Sequence, residues 1–162
     1  MMNYSIDIRP VIPDDVPILF ELIMALADHE KLSHKVTGTC EQLHKSLFSS
    51  HPEAEAILAC ADGVPTGFAL YFFNFSIYLM KPGLFLEALF VLPNYRRQGI
   101  GSQIFGYLAK MALDKGCGRV EWSVFNCNES AIAFYKQQGA TFLNDWRTCR
   151  LAGDALAEFS ST

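Results

Sequence analysis

The sequence predicts an α/β protein: a mixed sheet with helices on both faces. Three observations carry this. Short apolar runs of strand length alternate with segments whose apolar residues recur at helical spacing. The dipeptide Asp62-Gly63 stands between two apolar runs, a strong hairpin signal. A glycine-rich turn, Arg96–Ser102, lies between a strand and a helix.

Ile6–Arg9 reads as a short first strand. A helix follows over Asp15–Asp28, with Leu19, Leu22, Ile23 and Leu26 at helical spacing and Asp14 and Asp15 at its positive end. The polar stretch His29–Gly38 leads to a second helix, for which Thr39 and Gln42 form a capping-box signal. Ala54–Ala61 and Thr66–Phe75 are strands around the hairpin turn, and Leu84–Leu92 is a further strand broken by Pro93-Asn94. Past the glycine-rich turn, Ile104, Phe105, Leu108, Met111 and Ala112 give a helix its apolar stripe, which Gly116 ends. Arg119–Phe125 is a strand, Asn128 caps a short helix ending at Gly139, and strands near Ala140–Leu143 and Arg147–Leu151 complete the sheet. Asp154–Phe159 reads as a short tail helix.

The 162 residues suit one domain, 1–162, and a chain of this length buries roughly 70% of its unfolded surface without disulfide or metal. With 51% apolar and 19% charged residues, disorder is excluded for most of it. The mean hydropathy of +0.16 is high for a small monomer and implies either a membrane segment or a subunit interface. Phe68–Met80 is interrupted by Asn74 and Ser76 and stopped by Lys81-Pro82-Gly83, well short of the ~20 apolar residues a span needs. The N-terminal MMNYSIDIR has an acid and no apolar core, so it does not read as a signal peptide. A homodimer is therefore expected, in the cytoplasm, with no membrane partner. The net charge of −4 argues against a nucleic-acid partner. Cys40, Cys60, Cys117, Cys127 and Cys149 show no C-x-x-C spacing, and His29, His34, His44 and His51 form no H-E-x-x-H, so no metal site is expected.

The turn Arg96-Arg97-Gln98-Gly99-Ile100-Gly101-Ser102 is where the sequence points to chemistry. Free N–H groups at a helix start, with the helix dipole, attract an anion, and glycines let the backbone approach it. Arg96 and Arg97 add charge at the same end, which makes a phosphate or pyrophosphate cradle. It has neither the Lys-Ser/Thr ending of a Walker A loop nor the third glycine of a Rossmann fingerprint. The plainer alternative is a tight turn carrying two solvated arginines.

Arg96-x-x-Gly99-x-Gly101 resembles the acyl-CoA-binding signature of the GNAT N-acetyltransferase superfamily. Asn128-Glu129-Ser130-Ala131-Ile132-Ala133-Phe134-Tyr135-Lys136-x-x-Gly139-Ala140 resembles its second CoA motif. Ala27-x-x-Glu30-Lys31-Leu32, Gly67–Phe73 and Leu86-Glu87-x-Leu89-Phe90-Val91 resemble the spermidine/spermine, diamine and thialysine acetyltransferase branch. The resemblance covers nearly the whole chain. It implies a GNAT-type, mostly antiparallel sheet splayed at the CoA site, acetyl-CoA as cosubstrate, no metal, and direct attack by a small cationic amine.

Such a transfer must deprotonate an amine whose free pKa is about 10.4, stabilise an oxyanion, and protonate a leaving thiolate. Glu87 lies on an alternating strand beside Phe85, Leu89 and Val91 with Leu86 and Ala88 opposite, so a buried carboxylate is expected there, the alternative being an edge carboxylate in solvent. The resemblance makes Glu87 an amine binder or water-mediated base, and puts His29 and Glu30 at acceptor positions; by itself Glu30 reads as a solvated helix end. Tyr135, otherwise an ordinary core tyrosine, becomes the thiolate-protonating acid. Asn128, Glu129, Ser130 and Ala131 then contact the cosubstrate, and backbone groups of Leu89, Phe90 and Val91 run along the pantetheine arm. One N–H there, Leu89's, faces the thioester carbonyl, Arg97, Gln98, Gly99, Ile100, Gly101 and Ser102 hold the pyrophosphate, and Arg96 is a further cosubstrate-binding residue. Glu121, Trp122, Ser123 and Asp145 match acceptor-side positions loosely.

Three departures bear on the acceptor. The branch has Asp where Ala88 stands, an aromatic where His29 stands, and Trp-Asn-Glu-Pro where Cys127-Asn128-Glu129-Ser130 stands. One carboxylate fewer favours a shorter amine or an amino-acid side chain over a long polyamine. The aromatic run Tyr71, Phe72, Phe73, Phe75 and Tyr78 reads as sheet core plus dimer surface, or, for Tyr78, as an acceptor-pocket ring over an ammonium. Two other functions fit the motifs: an acyl-CoA-binding module without turnover, and acetylation of a protein or peptide amine.

Overall fold

The computed structural model describes residues 4–161. They form two compact units, divided between Ser123 and Val124. The first holds β1 (Ile6–Pro10), α1 (Val16–His29), α2 (Cys40–Phe48), β2 (Glu55–Ala61), β3 (Val64–Ser76), β4 (Lys81–Val91), α3 (Ile100–Asp114) and β5 (Val120–Trp122). The second holds α4 (Glu129–Gln137) and α5 (Asp154–Phe159).

The strands of the first unit lie in the order in which they occur along the chain. β1 to β4 pair antiparallel and β4 pairs parallel with β5. A parallel neighbour needs a long crossover, which α3 supplies. Ala61 pairs with Val64, so Asp62-Gly63 is the whole β2–β3 loop. Both loop residues have positive φ, +49° and +81°, as a hairpin turn matched to strand twist requires. The Thr39–Gln42 capping box also forms: the Gln42 N–H donates to Thr39 Oγ1 at 3.2 Å and the Thr39 N–H to Gln42 Oε1 at 2.9 Å.

Both sheet faces are covered, as expected. Ile57, Ala59, Ala69, Tyr71, Leu84, Leu86 and Val91 pack with Ile100, Ile104, Leu108 and Ala112 of α3. Ala56, Leu58, Cys60, Phe68 and Phe90 pack on the other side with Leu19 and Leu22 of α1 and Leu47 of α2. A strand buried on both faces reads as a continuous apolar run, which is why β2 is apolar from Ala56 onward.

The β3–β4 ladder carries a bulge. Leu70 pairs with Ala88 and Tyr71 with Leu86, so Glu87 is an extra residue on β4. The insertion shifts the alternation by one. Leu84 and Leu86 face α3, but beyond Glu87 it is Leu89 and Val91 that do, while Ala88 and Phe90 face α1.

In the second unit Asn128 caps α4, its Oδ1 accepting from the Ala131 N–H at 3.2 Å, and Gly139 follows the helix at φ +85°. The strands expected at Ala140–Leu143 and Arg147–Leu151 do not form: among the described residues no strand follows Trp122. A strand is stabilised by its ladder, and Phe142, Leu143 and Leu151 stand exposed without one. β5 is likewise shorter than the expected Arg119–Phe125, because it pairs only with Leu84–Leu86.

Candidate functional site

β4 and β5 part company after Leu86, which is paired with Trp122. Beyond that point β4 has a ladder partner only on its β3 side. The Leu92 N–H donates to the Thr66 carbonyl on β3 at 2.8 Å. Backbone groups alternate sides along a strand, so those of Val91 and Leu89 point toward the edge that β5 has left. The Val91 carbonyl on that edge accepts from Arg96 Nε at 2.8 Å. The sheet is thus splayed at Leu89–Val91.

The turn after β4 brings the backbone N–H groups that open α3 together at one helix end. Arg97 at φ +61° and Gly99 at φ +79° bring the chain round to the start of α3. The first helical bond there runs from the Gln103 N–H to the Gly99 carbonyl, 3.0 Å. The N–H groups of Ile100, Gly101 and Ser102 precede it and have no partner within the helix. Ile100 is buried in the core and fixes this end of α3. A Cβ added at Gly99 would meet nothing within 4 Å, so glycine is required by its left-handed backbone, not by space. Three N–H groups at the positive end of a 15-residue helix, with exposed Arg97 beside them, fit a diphosphate.

The two arginines differ. Arg97 is exposed. Arg96 is half-buried and engaged: besides the Val91 carbonyl, its Nη1 lies 3.3 Å from His29 Nε2, and its guanidinium sits 5.4 Å from the Phe90 ring centroid. Burial lowers its pKa. His29 itself leans on Phe90, ring centroids 6.0 Å apart. His29, which the resemblance puts at the acceptor side, thus lies against both Arg96 and Phe90.

His29 is the last residue of α1 and Glu30 follows as its cap. The helix closes with Leu32 N–H to the Ala27 carbonyl and Lys31 N–H to the Asp28 carbonyl, 2.7 and 3.0 Å. This closure normally takes glycine, but Lys31 occupies it at φ +59°. Glu30 is exposed, yet partial burial of its carboxyl raises its pKa, opposed by nearby His29.

Glu87 corrects an expectation. It is exposed, not buried, because the bulge takes it out of the alternation that would have set it beside Phe85, Leu89 and Val91. Glu121 and Trp122 are both engaged within the sheet unit. Glu121 pairs with Arg119 Nε at 2.8 Å, and Trp122 packs edge-on against Phe105 at 5.0 Å. Ser123 is exposed, as is Asp145 in the second unit.

The aromatic run divides. Tyr71 is buried and donates to Glu55 at 3.2 Å, and Phe72 stacks on Phe85 at 5.1 Å. Phe75, Ile77, Tyr78, Leu79 and Met80 stand exposed at the β3–β4 tip, Tyr78 at 79%. The sequence reading missed what holds this tip. Buried Ser76 accepts from Arg119 Nη1 at 3.2 Å, and Gly118 lets Leu79 approach so closely that a Cβ would lie 2.7 Å from its Cδ1. The glycine between α3 and β5 was the available signal.

In the second unit Tyr135 is buried, edge-on to Phe134 at 5.3 Å, and burial raises its pKa. Asn128 Oδ1 is occupied by the Ala131 N–H and the Ser130 hydroxyl, which leaves its amide NH2 as the end for a ligand. Glu129 and Ser130 are exposed at the helix start, and Ala131 is half-buried. Among the described residues no group of three or more His, Cys, Asp or Glu is placed to hold a metal ion, and no helix is long and apolar enough to cross a membrane.

The acetyltransferase (GNAT) family model matches residues 21–140. The chain is 35% identical to the thialysine N-epsilon-acetyltransferase of Bos taurus, over 94% of this chain and 96% of that one. It is 33% identical to the L-ornithine N5-acetyltransferase of Arabidopsis thaliana, over 92% and 85%. Among solved structures, an integron cassette protein from the mobile metagenome of V. cholerae superposes with a TM-score of 0.79 at 27% identity, over 99% and 100% of the two chains. The splayed β4 edge, the glycine-rich turn that opens α3 and these relatives agree: the chain belongs to the GNAT acetyltransferase family.

Proposed function

We propose that this protein moves an acetyl group from acetyl-CoA to the primary amine of a small cationic acceptor of the diamine, polyamine or thialysine/lysine-like class, by direct attack. The observation that carries this is the pairing of an anion cradle at Gly99–Ser102 with two exposed carboxylates, Glu30 and Glu87, in the same unit. An anionic donor and a cationic acceptor each have their own complement. The thialysine and ornithine acetyltransferases it resembles are named for acceptors of this kind.

The cradle N–H groups and Arg97 hold the pyrophosphate, and the free β4 edge hydrogen-bonds the pantetheine arm as an added strand would. The Leu89 N–H donates to the thioester oxygen as it gains charge. Glu30 and Glu87 bind the ammonium, and Glu87 takes its proton through a water. The freed nitrogen forms a bond to the acyl carbon, the carbon–sulfur bond breaks, the Tyr135 hydroxyl protonates the departing thiolate, and the second proton lost by the nitrogen restores that hydroxyl. Burial raises the pKa of that hydroxyl and so favours its protonated form. Residues 1–162 act as one catalytic domain in the cytoplasm, and the exposed Phe75–Met80 tip joins two copies into a dimer.

Free-thiol release from acetyl-CoA tests the reading, with putrescine, spermidine, spermine, ornithine, thialysine, lysine and a lysine peptide as acceptors. Release with a small amine, well above the blank, is the expected result. CoA binding without release for any acceptor would point to a non-catalytic module, and a peptide outperforming every small amine would point to protein acetylation.

A further inference from the structure

We infer that His29 is a positioning residue of the acyl-donor site, not an acceptor-binding residue, and that it acts through Arg96. The inference rests on the donor-site reading above and goes beyond it. Three contacts converge on Arg96: Nε on the Val91 carbonyl at 2.8 Å, Nη1 on His29 Nε2 at 3.3 Å, and the guanidinium plane over Phe90. His29 and Arg96 are 67 positions apart in sequence. The contact therefore ties the end of α1 to the strand end and turn that would hold the donor.

The chemistry fixes its direction. Arg96 carries only donors, so in this contact His29 Nε2 is the accepting atom. The Val91 carbonyl lies on the edge that β5 has left, and Arg96 is what satisfies it there. With the Val91 carbonyl capped, the Leu89 N–H and carbonyl and the Val91 N–H are the backbone groups left on that edge for the donor. Backbone on both sides of the clamp is held in an unfavourable form: Lys31, two residues after His29, has φ +59°, and Arg97, next to Arg96, has φ +61°. Such conformations persist where the surroundings over-determine them. Glu30, which would bind the amine, is next in sequence to His29.

The test is CoA binding by titration calorimetry, which needs no acceptor. His29→Phe keeps a ring against Phe90 but removes the acceptor nitrogen; His29→Gln keeps an acceptor. His29→Phe should weaken CoA binding by about tenfold, the worth of one charge-assisted hydrogen bond, and His29→Gln should recover most of it. Arg96→Lys should weaken it similarly, and the double variant should be no worse than Arg96→Lys alone, because the two residues act as a unit. Unchanged CoA affinity in His29→Phe with a raised KM for the amine would overturn the inference and return His29 to the acceptor side. Additive losses in the double variant would overturn it as well. If the parent protein itself fails to bind CoA, the donor-site reading falls, and this inference with it.

Discussion

Glu87 stands opposite no residue of β3: Leu70 pairs with Ala88 and Tyr71 with Leu86, and Glu87 is the residue left over between them. The bulge takes a carboxylate out of a strand with apolar neighbours and sets it in solvent, where it can meet a cation without the cost of burying a charge. Glu87→Gln should raise the KM for the amine about tenfold or more and leave the KM for acetyl-CoA unchanged. Steady-state kinetics with each substrate varied in turn would check this. Equal shifts in both KM values would contradict an acceptor role.

Glu30 makes a different demand. Partial burial raises its pKa, so the folded chain holds the proton more tightly than the unfolded chain does. Above its ordinary titration range the ionised Glu30 therefore costs stability. Glu30→Gln should leave the melting temperature unchanged or slightly higher at pH 7 while raising the KM for the amine. Loss of both stability and binding would instead mark a structural carboxylate.

Asp15 has the opposite sign. Arg9 holds it from two nitrogens, the Nη2 to Oδ1 distance being 2.9 Å, and the Ile12 N–H adds a third bond at 2.9 Å. The Arg9 hydrogen bonds lower its pKa most. That stability is present above the unfolded pKa of about 3.9 and is lost as pH falls through the lower folded value. Asp15→Asn should cost about 1–2 kcal/mol at pH 7, a figure reduced for the partly exposed Arg9. Denaturant melts at pH 7 and pH 3 should show that difference shrinking on the acid side.

Tyr135→Phe keeps the buried ring and removes only the hydroxyl. It should lower kcat by about a hundredfold, with little change in the KM for acetyl-CoA, if that hydroxyl is the acid for the leaving thiolate. Unchanged kcat would remove Tyr135 from the chemistry.

The exposed tip Phe75–Met80 is held by Arg119 on Ser76 and by the close approach of Leu79 to Gly118. Exposed apolar side chains held in place like this are what the proposed dimer would bury. Replacing Ile77 and Tyr78 together by serine should convert a dimer into monomers in sedimentation velocity, with the fold intact by circular dichroism. A parent protein that sediments as a monomer would contradict the dimer.

What the sequence made legible was local. The Asp62-Gly63 turn, the Thr39–Gln42 box, the Asn128 cap and the α3 stripe each depend on residues a few positions apart, and each forms as expected. Long-range pairing was not legible. The Glu87 bulge depends on the register of β3, and the Arg96–His29 contact spans 67 positions. The strands expected at Ala140–Leu143 and Arg147–Leu151 do not form, because a strand needs a ladder partner that local sequence does not supply. Lys31 closes α1 without the glycine that would have announced the closure. The glycine-rich turn before α3 was legible as a motif, but the different surroundings of Arg96 and Arg97 were not, because they are decided by a carbonyl and an imidazole outside that motif.

The most direct test of the central claim is mass spectrometry of a quenched reaction containing the protein, acetyl-CoA and the best small amine. Direct transfer predicts one acetyl group on the amine nitrogen, in step with thiol release, and none on the protein at any time. Acetylated protein that forms before the product, or thiol release with no acetylated amine, would contradict it.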